Sequence, residues 1–88
     1  MKKFYVYKID WRDAAGKGGW KWIPDMEISH YDVSSIGYLV QEDKNYYVLG
    51  QSLTSEYQVG ERLQIPKKWV TKVTKLRGVP CFEYKHEQ

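Results

Sequence analysis

The side chains able to do chemistry are few. Cys81, His30, His86 and the acids Asp10, Asp13, Asp25 and Asp32 are the available nucleophiles, bases and metal ligands. Catalysis by such groups needs a nucleophile or an acid–base pair held by a third, orienting group. No motif places these residues together. Cys81 stands between Pro80 and Phe82 and reads as a small apolar filler. Asp10 and Asp13 straddle a strand end and need not face each other. The chain therefore reads as a non-enzyme with no catalytic residue. Its thiol and imidazoles lack paired-ligand spacing, so no metal site is expected. The glycine-rich run R-D-A-A-G-K-G-G at residues 12–19 lacks Walker spacing, because no Ser or Thr follows Lys17. No cofactor is implied.

Two patterns suit binding. The first is aromatic. Trp11, Trp20, Trp22 and Trp69 flank loops rather than strand centres. Trp20 and Trp22, two apart, point the same way in an extended chain. They are placed to stack a planar ring, while Arg12, Lys17 or Lys21 takes a phosphate. The competing reading is core, since each aromatic buries about 150–250 Å² and a small domain needs that area. The second pattern is basic. Arg62, Lys67, Lys68, Lys72, Lys75 and Arg77 follow one another with no acid between residues 62 and 77. That stripe suits contact with nucleic-acid phosphates. It equally suits an edge strand protected by lysine against aggregation.

Composition bounds the rest. A chain of 88 residues is one domain with a small core. A single cysteine rules out an intrachain disulfide. Small domains without disulfide or metal turn to oligomerisation, and a homo-oligomer is expected. The net charge of +3 permits an anionic partner without demanding one. No apolar run reaches the roughly 18 residues of a membrane span. Lys8 and Asp10 interrupt what would be a signal peptide's apolar stretch, so no secretion is expected. The lone thiol fits a reducing cytoplasm.

The elements that must position these residues are strands. Residues 33–53 form the central hairpin, with apolar runs at 36–40 and 46–49 around the polar turn Glu42-Asp43-Lys44-Asn45. Residues 4–11 alternate as a first strand, with Tyr5, Tyr7, Ile9 and Trp11 on the buried face. Gly37 and Gly50, inside the hairpin strands, suit a sheet that bends sharply. Residues 62–65 form a short strand ended by Pro66, followed by one 3₁₀ turn and a strand over 70–76. The core list is Tyr5, Tyr7, Ile9, Trp11, Ile36, Tyr38, Val40, Tyr47, Leu49, Leu63, Ile65, Val70, Val73 and Leu76. Phe4, Val6, Tyr31, Tyr46, Val48, Trp69, Phe82 and Tyr84 remain, and a second copy is expected to cover them. The fold class is all-β: a small, strongly bent antiparallel barrel, SH3-like, with five to six short strands. Residues 1–77 make the domain. Residues 78–88 are a tail able to add an edge strand.

A family resemblance rests on four pieces: Trp11-Arg12-Asp13, Gly19-Trp20, the run from Ser35 to Val40 with its acidic turn, and Ile65-Pro66-Lys67 leading to Val70, Val73 and Leu76. In these the chain resembles a largely uncharacterised group of short bacteriophage- and prophage-encoded small β-barrel proteins, over residues 6 to 76. The resemblance implies a phage barrel in the cytoplasm of a bacterial host and carries no residue roles. The expectation is a non-catalytic protein that captures a small phosphorylated, nucleotide-like ligand through Trp11, Arg12, Lys17, Trp20, Lys21 and Trp22. By analogy with other short phage proteins it would be a sponge for host immune nucleotide signals. The alternatives are a nucleic-acid-binding barrel using the basic stripe and a structural or protein-interaction barrel.

Overall fold

The computed structural model describes residues 2–13, 20–26 and 30–84. The described residues form seven strands: β1 (Lys2–Phe4), β2 (Val6–Asp13), β3 (Tyr31–Glu42), β4 (Tyr46–Leu53), β5 (Val59–Pro66), β6 (Val70–Lys75) and β7 (Phe82–Tyr84). Two 3₁₀ turns, Ile23–Asp25 and Lys67–Trp69, sit where Pro24 and Pro66 interrupt the extended chain. No α-helix occurs among the described residues, and none of them forms a helix able to cross a membrane.

Five strands form one antiparallel sheet in the order β5-β4-β3-β2-β6. The central strand β3 serves two partners in turn. From Tyr31 to Tyr38 it pairs with β2, and from Tyr38 to Glu42 it pairs with β4. The two glycines sit at this exchange. A Cβ on Gly37 would lie 2.9 Å from the carbonyl oxygen of Gly50, so only glycine lets the strands approach there. Beyond it, a register shift between Leu39 and Gln41 bends the strand further. The expected barrel is not closed among the described residues: β5 and β6 end the strand order without pairing to each other.

The turn between β3 and β4 is held by Asp43. Its carboxylate accepts the backbone N–H of Asn45 at 2.7 Å and of Tyr46 at 2.8 Å. This is an Asx-type arrangement that closes a turn without a glycine. Lys67 then ties the second 3₁₀ turn to it, its N–H donating to the Asn45 carbonyl at 2.8 Å.

Two layers of apolar contact hold the fold. The inner face centres on Ile9, Leu49 and Ile65, with Tyr7, Trp11, Leu39, Tyr47 and Val70 packed around them. Ile9 and Ile65 are fully buried. The opposite face is covered too. The chain leaves the large sheet at Tyr5, and β1 pairs with β7 as a separate two-stranded sheet, Phe4 opposite Phe82 and Lys2 opposite Tyr84. Phe4, Tyr57, Phe82 and Tyr84 make an aromatic cluster with centroid distances from 4.6 to 6.2 Å, and Tyr38 meets Phe82 at 6.3 Å.

This second layer corrects the expected core. Phe4, Val48 and Tyr84 are buried within the chain, whereas Tyr5, Ile36, Leu63 and Val73 are exposed. The expectation assumed one buried face per strand. Residues 82–84 return to the N-terminus and bury the other face as well. The tail after residue 77 thus contributes a strand, paired with β1 and not with an edge of the large sheet. The large aromatics left over for a second copy have, in part, an intrachain use.

Candidate functional site

Of the residues expected to bind ligand, Trp11 and Arg12 lie on β2, and Trp20, Lys21 and Trp22 precede the first 3₁₀ turn. Trp11 faces inward because it alternates with Ile9 on β2. Its ring stacks on Trp69 at 6.3 Å and 11° between planes, and its Nε1 donates to Ser35 Oγ at 3.1 Å. Its polar atom and one ring face are therefore already used. Arg12 Nε lies 3.3 Å from the Asp32 carboxylate, which His30 also approaches at 3.8 Å. Trp20, Lys21 and Trp22 lie on the segment leading into the first 3₁₀ turn, fully open to solvent. Lys17 lies outside the described residues.

The basic stripe is divided between β5, the second 3₁₀ turn and β6. Arg62 is on β5, and Lys72 and Lys75 are on β6, at the other end of the strand order. Lys72 stands opposite Asp10. Lys75 places its ammonium 3.8 Å from the centroid of the Tyr5 ring. Lys67 bonds Glu42 at 2.6 Å and lies 4.8 Å from the Tyr47 ring. The bond to Glu42 holds the Lys67 ammonium above its usual range. Lys68 borders a shallow cleft with Lys44, Asn45 and Tyr46. Cys81 is a half-buried free thiol. Among the described residues no three of His, Cys, Asp and Glu gather as metal ligands.

A site that the sequence reading missed lies between the two sheets. A cavity of about 200 Å³ is lined by the aromatic Phe4, Tyr57 and Tyr84, the aliphatic Val40, Val48, Leu53 and Val59, the cations Lys2 and Arg62, and the neutral amides Gln41 and Gln58. Among the described residues no carboxylate lines it. Lys2 Nζ lies 5.7 Å from the Phe4 ring centroid. Arg62 pairs with no carboxylate among the described residues. It also borders an adjoining groove with Gln41, Val48 and Gln64.

The turn between β4 and β5 positions the third aromatic. Thr54 N–H donates to the Gln58 carbonyl at 2.9 Å, and Tyr57 N–H donates to the Thr54 carbonyl at 3.2 Å. Tyr57 itself has φ of 62°, a conformation that costs a non-glycine residue about 1–2 kcal/mol. The Tyr84 hydroxyl donates to the same Thr54 carbonyl, which locks β7 to this turn. Burial, and then the neighbouring Tyr57, push the Tyr84 phenol above its ordinary pKa of 10.0, so it stays a neutral donor. The outcome is a cavity with aromatic and aliphatic walls, neutral amides and two cations. Such a lining suits a planar ring carrying a negative group. The one trace of it in the sequence was the surplus of Phe4, Val48, Phe82 and Tyr84 beyond what a single-faced core needs.

Comparison with known proteins finds no matching family model, no matching curated protein and no matching solved structure.

Proposed function

We propose that the protein is a non-catalytic binding module that captures a small phosphorylated, nucleotide-like ligand in the cavity between its two sheets. The observation that carries this is the lining: three aromatic rings, aliphatic side chains, Lys2 and Arg62, and no carboxylate among the described residues. An apolar cavity of about 150 Å³ holds a benzene ring. The cavity here is of that order, so it accepts one ring system, and the charged remainder lies outside it. The adjoining groove bordered by Arg62 offers that space. The reading includes, as part of the proposal, the resemblance of residues 6–76 to short phage proteins and with it a role in a bacterial host cytoplasm as a sponge for host nucleotide signals. The strand order and the 3₁₀ turn before β6 support an SH3-like arrangement, opened rather than closed.

Isothermal titration with a panel of nucleoside monophosphates, cyclic nucleotides and inorganic phosphate tests the reading. A nucleotide should bind and phosphate alone should not, since the ring supplies the apolar term. Arg62→Ala and Lys2→Ala should each weaken binding, and Val48→Trp should block it. Failure of every nucleotide to bind would sink the proposal. Salt-sensitive retardation of DNA that is abolished by Lys68→Ala with Lys72→Ala would instead favour the nucleic-acid reading.

A further inference from the structure

Among the described residues the most exposed apolar surface is not the cavity but the segment at residues 20–26. Trp20 is fully exposed, Trp22 is 81 % exposed, Ile23 78 % and Met26 61 %. Tyr31, at the β2–β3 ribbon end from which this segment departs, is also 61 % exposed. Two backbone hydrogen bonds shape the segment that displays these side chains. The N–H of Asp25 donates to the Trp22 carbonyl at 2.9 Å, and that of Met26 to the Ile23 carbonyl at 3.2 Å. Pro24 fixes the turn between them. Preformed presentation of this kind lowers the ordering cost of an interface.

We propose that this segment is a self-docking surface, covered by the same segment of a second copy about a two-fold axis. Area supports the choice of occupant. At about 150–250 Å² per ring, Trp20, Trp22 and Tyr31 offer roughly 500 Å². Ile23 and Met26 bring the patch close to the roughly 800 Å² that each partner contributes to an interface of standard size. Monomers seldom leave so large an apolar patch open.

Charge supports it as well. The segment carries one cation, Lys21, and one anion, Asp25. A two-fold axis sets residue i of one copy against residue j of the other and j against i. Lys21 can then meet Asp25 of the second copy twice over. A surface built for a lipid headgroup layer or for nucleic acid would carry an excess of cations. Here Lys21 is balanced by Asp25, and the neighbouring Arg12 is paired with Asp32. The inference is independent of the cavity, which lies between the other strands and needs no second copy.

Sedimentation velocity across a wide micromolar range provides the test. The wild type should sediment at twice the 10.5 kDa chain mass and dissociate on dilution. Trp20→Ala with Trp22→Ala should be monomeric and should keep the melting midpoint that the wild type shows once diluted to monomer, because neither ring enters the core. Lys21→Asp and Asp25→Lys should each raise the dissociation constant about tenfold or more, since each places like charges together twice. The double exchange, Lys21→Asp with Asp25→Lys, should restore the dimer, and so should mixing the two single variants. A wild-type monomer at every concentration would overturn the proposal. So would a dimer indifferent to the tryptophan variant, or a monomer that co-sediments with phosphatidylserine vesicles.

Discussion

Gly50→Ala tests the packing between β3, β4 and β5 most directly. A Cβ on Gly50 would fall well inside van der Waals contact with Cγ2 of Val59 and 3.2 Å from Cγ1 of Val40. The obstructing atom belongs to a β-branched side chain on a strand, which has little rotameric freedom to withdraw. Overpacking of this kind costs about 1–3 kcal/mol. For a domain of this size about 2 kcal/mol lowers the melting midpoint by roughly 8–16 °C. Val59→Ala removes the obstructing methyl groups, so the double variant Gly50→Ala with Val59→Ala should cost less than the two single costs summed, with a coupling of about 0.5–3 kcal/mol. Gly60→Ala is the control. Its Cβ meets only the Ser52 Cβ at 4.0 Å, and it should change stability by no more than about 0.5 kcal/mol. Urea melts with matched slopes make the measurement. Because Val40 and Val59 also line the cavity, Gly50→Ala should weaken nucleotide binding as well. Strict additivity, or a Gly50→Ala variant as stable as Gly60→Ala, would refute the packing argument.

Other consequences follow from single residues. The Asp43 carboxyl is held below its ordinary 3.8 by the N–H groups of Asn45 and Tyr46, so the stability it adds is present above that value and disappears as pH falls through the lowered one. Asp43→Asn should flatten the acid limb of a midpoint-against-pH curve. Lys67 is shifted the other way, above 10.5, chiefly by its bond to Glu42. Its contribution is complete below 10.5 and fades as pH rises through the raised value, and Lys67→Met should remove that alkaline loss. Glu61 has φ of 52° and is exposed, so Glu61→Gly should stabilise by up to about 1 kcal/mol in thermal melts, whereas Glu61→Val should destabilise. Trp11→Phe should lower the midpoint by removing the bond to Ser35 and part of the stack on Trp69.

The local features were readable because neighbours in sequence decide them. The alternation of Tyr7, Ile9 and Trp11 set the inner face of β2. Asp43 marked a turn because its side chain reaches backbone groups two and three residues ahead. Pro66 marked the end of an extended run and the start of a 3₁₀ turn. Gly37 and Gly50 marked the bend, although the reason is a contact between them.

The cavity and the exposed surfaces depended on long-range closure. Four tryptophans look alike in the sequence. The packing buries one ring face of Trp11 against Trp69, yet leaves Trp20 and Trp22 in water. That difference arises because Trp11 is on a strand with a core beneath it, and the other two are on a segment that crosses nothing. Phe4, Tyr57, Arg62 and Tyr84 have no common period and come from four separate parts of the chain. They share a cavity only because β7 pairs with β1 and the Tyr84 hydroxyl reaches Thr54. No local pattern encodes that pairing: β1 and β7 are three-residue strands, too short for alternation to declare a partner, and they are held by the aromatic surface that they bury.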